Sequence, residues 1–144
     1  MGKFASGRFS MKNPDKYVGG RTPLYRSSWE FAFMKFCDES PSISKWASES
    51  IKIPYRHPFT GKYTVYVPDF FIVYVDKNGK PHAEVIEIKP ENQTLVEKAK
   101  GRMNQGQLIV NKAKWQSAQA YCKNKGLRFR IVNEKDLFHQ GKRR

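Results

Sequence analysis

The chain has 144 residues, the size of one domain, and its 39% apolar and 14% aromatic content is enough for a packed core. Its 27 Lys and Arg outnumber its 13 Asp and Glu, and the net charge of +14 favours nucleic acid or an acidic membrane surface as partner. No run of about eighteen apolar residues occurs, which argues against a membrane span. Two distant cysteines and three scattered histidines support neither a disulfide framework nor a zinc site, so we expect an intracellular protein.

The predicted organisation is one domain between two basic ends. Residues 1–23 are rich in Gly, Ser, Lys and Arg and lack a sustained apolar period. We therefore predict a flexible basic arm that either wraps DNA or contacts nothing specific. The domain is predicted to span residues 24–138, and residues 139–144 form a charged tail.

A buried helix and several strands are predicted in the first part of the domain. Apolar side chains nearly surround the segment 27–37, which indicates a helix that is buried on most sides. An Asn-Gly pair at 78–79 predicts a tight hairpin that leads into a strand at 82–89. β-Branched and aromatic residues, interrupted by turn residues, predict three earlier strands, at 45–56, 62–67 and 70–76.

A long basic helix and a last strand are predicted in the second part. The pattern at 94–124 is that of an amphipathic helix, with a break expected near Gly101 or Gly106. Gly126 is predicted to occupy the position just past the end of that helix, where glycine is favoured. The alternation of apolar and basic residues at 127–132 then predicts a strand.

The strand at 82–89 carries the strongest chemical signal. Side chains alternate along a strand, so Glu87 and Lys89 project from one face, about 6.6 Å apart, while Glu84 on the other face is expected at the surface or in a salt bridge. Divalent cations held by carboxylates supply what phosphodiester hydrolysis needs, namely charge compensation, an activated water and a stabilised leaving oxygen. We therefore predict Asp69 and Glu87 as metal ligands, the carbonyl oxygen of Ile88 as a further ligand, and Lys89 as the positive charge beside the phosphate.

The order of a helix glutamate, Pro68-Asp69 and Glu87-x-Lys89 within αβββαβ elements resembles the PD-(D/E)xK nuclease superfamily. Within residues 24–138 the chain resembles more closely the head-completion nucleases of large tailed phages, in the stretches 25–30, 66–70 and 112–136. It is more distantly similar to the Tn7-type transposon-end endonuclease subunit. The resemblance implies a restriction-endonuclease-like α/β fold, with a mixed central sheet flanked by helices. It also implies a magnesium-dependent DNA nuclease that trims packaged DNA late in capsid assembly, so that heads can join tails.

Glu30 has two interpretations. The resemblance maps it onto a first-helix glutamate that many members of the superfamily place near the metals, which makes it a candidate catalytic residue. The run Ser27-Ser28-Trp29-Glu30 is also a capping box, in which the glutamate accepts a hydrogen bond from a backbone N–H at the start of the helix. Substitution of Glu30 would separate the two.

Four basic residues are candidates for nucleic-acid binding. Lys112 and Lys114 lie on the long helix, where relatives often place a further active-site residue, and the alternative is an ordinary solvated helix face. Arg56 and His57 precede the turn at Pro58 and are expected to touch backbone phosphate.

The predicted function is DNA cleavage with Mg²⁺, for which Mn²⁺ is a substitute, on double-stranded DNA and with phage portal or neck proteins as partners. An alternative from another class is a structural head-completion protein that binds DNA ends or the portal on a nuclease scaffold without cutting. A third reading is a junction resolvase or transposase subunit, which would require a dimer or a partner for paired cuts.

Overall fold

The computed structural model describes residues 6–89 and 101–133. These residues form two α-helices, eight strands and a short 3-10 turn at Pro14–Lys16. In chain order the elements are β1 (Gly7–Arg8), β2 (Leu24–Tyr25), α1 (Ser28–Glu39), β3 (Ile43–Ser48), β4 (Ile53–Arg56), β5 (Tyr63–Tyr66), β6 (Phe70–Val75), β7 (Pro81–Ile88), α2 (Gly101–Asn124) and β8 (Arg128–Val132).

The centre of the fold is a four-stranded sheet with the strand order β3-β6-β7-β8. Neighbouring strands are antiparallel from β3 to β7, whereas β7 and β8 run parallel. The parallel pair follows from the connection, because α2 lies between the two strands in sequence and such crossovers join parallel strands. The predicted fold class, a restriction-endonuclease-like α/β core with a mixed central sheet, is confirmed.

The two helices cover opposite faces of this sheet. Phe33 of α1 is fully buried in one core cluster with Val132 of β8. Trp115 of α2 is buried in a second cluster, against which Ile131 of β8 packs. Since Ile131 and Val132 are successive residues of one strand, their side chains point to opposite faces. The sheet is therefore flanked by helices, as predicted, and Trp115 is a core residue.

The strand predicted at 45–56 is in fact two strands, so that prediction was wrong. β3 ends at Ser48, and the backbone turns at Glu49, whose φ of 50° lies in the left-handed region. β4 then leaves the central sheet and pairs with β5 in a separate hairpin. Ile53 and Tyr66, on the buried side of this hairpin, belong to the same core cluster as Trp115 of α2.

The described part of the predicted basic arm, residues 6–23, packs against the domain. Phe9 belongs to the main core cluster. Buried Asp38 near the end of α1 accepts hydrogen bonds from the backbone N–H groups of Lys12 and Asn13, at 2.9 and 3.0 Å. These bonds anchor the segment, because a buried carboxylate that accepts backbone donors is costly to leave unpaired.

α2 runs without interruption through Gly106, so the helix is not broken at the second of the two positions predicted for a break. The alternative, a break near Gly101, falls at the edge of the described residues and is not tested. The start predicted at residue 94 lies outside the described residues. The helix ends as predicted: Gly126 has a φ of 73°, and the N–H of Leu127 donates to the carbonyl of Cys122 at 2.8 Å. None of the described helices is long and apolar enough to cross a membrane.

The hairpin predicted at Asn78-Gly79 joins β6 to β7 and is confirmed. Its turn is closed by Asp76, whose Oδ1 accepts hydrogen bonds from the N–H groups of Asn78 and Lys80, both at 2.9 Å. Gly79 adopts a φ of 80°, which a residue with a Cβ reaches only with strain. This turn sets the register of the two strands that carry the predicted metal ligands.

Replacing two glycines by alanine should change stability in opposite directions. Gly79→Ala should lower the free energy of unfolding by about 1 kcal/mol, because the new Cβ is strained at positive φ. Gly106→Ala, inside α2, should raise it by about 0.5–1 kcal/mol, since a Cβ there meets nothing within 4 Å and alanine is the better helix former. Urea unfolding of both variants measures the difference, and equal signs would contradict the assigned backbone conformations.

Candidate active site

The Pro-Asp and Glu-x-Lys motifs meet at one end of the β6–β7 pair. Phe70 pairs with Ile86, so the same antiparallel register places Asp69 opposite Glu87. The backbone N–H of Ile88 donates to Asp69 Oδ2 at 2.8 Å. Two motifs that are separate in sequence are thereby joined by one short hydrogen bond.

Glu87 is buried and has partners at both carboxylate oxygens. The Tyr66 hydroxyl donates to Oε1 at 2.7 Å, and Lys89 Nζ lies 3.8 Å from Oε2. The predicted alternation along β7 therefore holds, because Glu87 and Lys89 project together. The Lys89 side chain keeps 26% of its surface exposed, so its ammonium can also reach a substrate.

The two carboxyl groups are costly to ionise because they are buried next to each other. The pKa of Asp69 is raised above its ordinary value, first by burial and then by the neighbouring Glu87. Burial also raises the pKa of Glu87, although the hydrogen bond from Tyr66 and the charges of Lys89 and Lys114 oppose that rise. Lys89 and Lys114 offset the negative charge of the pair only in part, and a hard cation bound between the two groups would supply the rest.

The donor set fits Mg²⁺ rather than a metal that needs a full protein cage. No group of three or more His, Cys, Asp or Glu side chains within the described ranges could hold a metal ion. Mg²⁺ does not require one, because it is usually held by one or two carboxylates and keeps several waters or substrate phosphate oxygens as ligands. Asp69 and Glu87 would provide those carboxylates, and the carbonyl of Ile88 would provide a further oxygen.

Glu30 forms hydrogen bonds at the start of α1, although its carboxylate accepts from Arg26 and not from the N-cap residue Ser27 as in a standard capping box. Its N–H donates to Ser27 Oγ at 3.1 Å, and its Oε1 accepts a hydrogen bond from the N–H of Arg26 at 2.7 Å. Glu30 also lines the same cleft as Asp69. The negative charge of Glu30 helps to raise the pKa of Asp69. The structure thus brings Glu30 to the carboxylates while one of its oxygens holds the backbone of Arg26, the residue before the N-cap Ser27.

The two predicted phosphate-binding lysines of α2 differ in position. Lys114 Nζ lies over the ring of Tyr66, 5.7 Å from its centroid, and its charge lowers the pKa of Glu87. Lys112 is exposed on the surface of the helix. Of the two lysines, it is Lys114 that the described contacts bring into the site.

Arg56 and His57 lie at the end of the β4–β5 hairpin. Arg56 Nε donates to the carbonyl of Gly61 at 3.0 Å, and His57 Nδ1 accepts hydrogen bonds from the N–H groups of Phe59 and Thr60, at 3.2 and 3.4 Å. These contacts shape the turn. The expected contact of Arg56 and His57 with DNA phosphate stays a prediction.

Glu84, expected at the surface or in a salt bridge, is buried and salt-bridged. Its carboxylate lies 3.1 Å from Arg130 Nε and 4.0 Å from an outer nitrogen of Arg128, and it accepts a hydrogen bond from the Tyr74 hydroxyl at 2.8 Å. It was not expected to be buried because β8, which brings the two arginines, follows it only after α2. Its partners assign it a structural role outside the candidate site.

Tyr66 is the site residue that sequence reasoning missed, since it was interpreted as an ordinary sheet residue. Its buried ring packs with Trp115, and its hydroxyl is hydrogen-bonded to Glu87. Burial and the adjacent Glu87 raise the pKa of the phenol, so it stays protonated and donates. The available signals were its position three residues before Asp69 and its place in the stretch 66–70 that carries the resemblance.

The fold and this site agree with a family comparison. Residues 40–134 match the family model of the TnsA-like endonuclease N-terminal domain, so the chain belongs to that family. The match includes Asp69, Glu87 and Lys89 and begins after Glu30. The chain is also 36% identical to the head completion nuclease of Enterobacteria phage T4, over 92% of this chain and 93% of that protein. The resemblance inferred from the sequence is confirmed.

Asp69→Asn should stabilise the metal-free protein at high pH. When folding raises the pKa of a carboxyl group, the folded state binds the proton more tightly than the unfolded state. The protein therefore loses stability as the pH rises from the unfolded-state pKa of that group through its folded-state pKa. Asn keeps an acceptor for the N–H of Ile88 but removes the charge beside Glu87. We expect its advantage over wild type to grow by about 1–2 kcal/mol between pH 5 and pH 8.

Urea unfolding in EDTA at the two pH values measures this difference. Asp15→Asn, which removes an exposed carboxylate from the 3-10 turn, is the control and should show no such growth. If the stability advantage of Asp69→Asn over wild type shrinks as the pH rises, the negative charge of Asp69 is well compensated by the protein without metal.

Proposed function

We propose that the protein is a Mg²⁺-dependent DNA nuclease that acts in phage head completion. The observation that carries the proposal is the hydrogen bond from Ile88 N–H to Asp69, which joins the two motifs and gathers two carboxylates and Lys89 in one site. Membership of an endonuclease family and the name of the phage relative support the reaction class and the assembly role.

Double-stranded DNA is the proposed substrate. The net charge of +14 favours a polyanion, and neutralised phosphates release counterions, so binding should weaken steeply with salt. Lys112 and Lys114, with Arg56 and His57, are proposed to contact the DNA backbone. Their positions on α2 and on the β4–β5 hairpin supply sequence-independent affinity, since the sequence has no recognised base-reading motif.

The chemistry divides between a bound cation and the residues around it. When bound, Mg²⁺ or its substitute Mn²⁺ neutralises the phosphate and lowers the pKa of a water. Asp69, Glu87 and the carbonyl of Ile88 would hold it. Tyr66 fixes Glu87 through Oε1 and leaves Oε2 toward Lys89.

Lys89 is proposed to act directly on the substrate. Its ammonium is a compact charge that can donate hydrogen bonds to a phosphate oxygen or to the attacking water without the fixed geometry that a guanidinium requires. Its contact with Glu87 keeps it beside the carboxylates before substrate arrives. The developing negative charge of the phosphate would then draw it from Glu87.

The proposed biological role is to process packaged DNA so that filled heads can join tails. Portal or neck proteins are the proposed partners, and the host cytoplasm or the virion is the proposed location. The similarity to a head completion nuclease along most of both chains supports this placement.

Removing the site residues should abolish cleavage while leaving DNA binding. Purified wild type, Asp69→Asn, Glu87→Gln and Lys89→Ala are incubated with linear and circular duplex DNA, with Mg²⁺ or EDTA. We expect wild type to cut only with Mg²⁺, and each variant to lose about 10²-fold or more in rate, because each removes charge that acts on the reacting phosphate. Cutting of the circle would establish endonucleolytic action.

Matched controls remove the same charges elsewhere. Glu39→Gln, in an exposed ion pair with Lys12, and Lys45→Ala, on the exposed side of β3, should retain wild-type rates. If wild type binds DNA but never cuts with Mg²⁺ or Mn²⁺, the structural DNA-end or portal-binding reading replaces the nuclease proposal. Size-exclusion mass measurement with DNA would detect the dimer that a resolvase requires.

Glu30→Gln and Ser27→Ala should separate capping from catalysis. Gln can still accept the hydrogen bond from Arg26 N–H, so Glu30→Gln should keep stability and lose cleavage if the charge acts in the reaction. Ser27→Ala removes the cap of α1 and should cost about 1 kcal/mol with cleavage retained. Thermal unfolding and cleavage are measured on both proteins. Full activity of Glu30→Gln would restrict Glu30 to capping.

A further inference from the structure

A cleft beside Asp69 contains one arginine among several acidic residues. Arg26, Glu30, Glu49 and Asp69 all line it, and Arg26 is the only basic residue among the described residues of its lining. Neither Arg26 nor Glu49 belongs to the two motifs. Their position nevertheless places both beside the proposed site of cleavage.

Arg26 is held in the cleft by two contacts. Its backbone N–H donates to Glu30 at 2.7 Å, which fixes the main chain at the start of α1. Its guanidinium lies 2.8 Å from Glu49 Oε2. The side chain is therefore aimed across the cleft toward the strand end that carries Glu49.

The Arg26–Glu49 ion pair is too exposed to be required for stability. The Arg26 side chain is 60% exposed and that of Glu49 41%, and exposed pairs of this kind contribute at most about 1 kcal/mol. A competing anion with better geometry can therefore displace the carboxylate at little cost. Phosphate is such an anion, because the planar guanidinium binds two of its oxygens at once.

Glu49 occupies its position at the expense of backbone strain. Its φ of 50° is unfavourable for a residue with a side chain, by about 1 kcal/mol or more, and its N–H donates to the Asp69 carbonyl at 2.9 Å. The backbone bond ties the strained turn to the residue that precedes β6. The carboxylate is thereby presented to Arg26 from the same turn that supports Asp69.

We propose that Arg26 is a phosphate-binding residue for the DNA backbone at the rim of this cleft, and that Glu49 is the counterion that the phosphate displaces. In the free protein Glu49 neutralises the guanidinium. When DNA enters, a phosphate takes the place of the carboxylate, which turns to solvent. This inference rests on the proposed DNA substrate, and it adds a binding position that the catalytic motifs do not include.

The test is the salt dependence of DNA binding in EDTA, which requires neither metal nor cleavage. Fluorescence anisotropy with a labelled duplex is measured at several NaCl concentrations for wild type, Arg26→Gln, Arg26→Lys and Lys45→Gln. Arg26→Gln should weaken binding about fivefold to tenfold and reduce the slope of log K against log salt by about one. Arg26→Lys keeps the charge and should keep the slope, and Lys45→Gln should match wild type.

Glu49→Gln tests the counterion role in both backgrounds. It should tighten DNA binding when Arg26 is present and have a smaller effect in the Arg26→Gln background, because the gain comes from releasing the guanidinium. Equal gains in the two backgrounds would overturn the counterion role. An unchanged salt slope in Arg26→Gln, with thermal unfolding that shows an intact fold, would overturn the phosphate contact.

The two proposals fail differently in these experiments. Wild type that does not bind duplex DNA in EDTA or with Mg²⁺ would overturn both the proposed function and this inference. If wild type binds DNA but the slope of log K against log salt is the same in Arg26→Gln, only the inference about Arg26 is overturned. If Asp69→Asn binds DNA normally but does not cut it, the proposed function stands, and the anisotropy measurement alone decides whether Arg26 binds phosphate.

Discussion

The hydrogen bond from Ile88 N–H to Asp69 depends on the register of β6 against β7, and the rest of the site depends on that register. A shift of one residue would turn every side chain of β7 to the other face. Glu87 would then point toward α1, and Ile88 would enter the site. The tight turn at Gly79 and the burial of Ile86 on the α1 face both oppose such a shift. The same constraints that stabilise the sheet therefore hold the carboxylates together.

The charge of the site is opposite to that of the chain. A protein with a net charge of +14 gathers Glu30, Glu49, Asp69 and Glu87 around one strand end. Each of these carboxylates has a polar or basic partner that offsets part of its charge, and the partner of Asp69 is the N–H of Ile88. The surrounding positive field favours a polyanion such as the proposed DNA substrate. The local negative charge is suited to attract the cation that the proposed reaction uses.

The turn at Glu49 links the fold to the site. It ends β3, sends β4 into a separate hairpin and donates a hydrogen bond to the backbone of Asp69. The hairpin then returns with Tyr66, whose hydroxyl reaches Glu87. One strained residue therefore lies between the central sheet and the element that supports the buried glutamate. Its position explains why the predicted strand at 45–56 had to be divided.

Local chemistry in the sequence determined the start of α1 at Ser27, the hairpin at Asn78-Gly79 and the shared face of Glu87 and Lys89, because caps, turns and strand alternation depend on neighbouring residues. The order of motifs also predicted the fold class and the pairing of Asp69 with Glu87. Only the tertiary structure decided which side chains complete the site. Tyr66 reaches Glu87 from 21 residues away, and Arg26 reaches Glu49 from 23. Such contacts depend on how separate strands and turns pack, and no short sequence pattern encodes that packing.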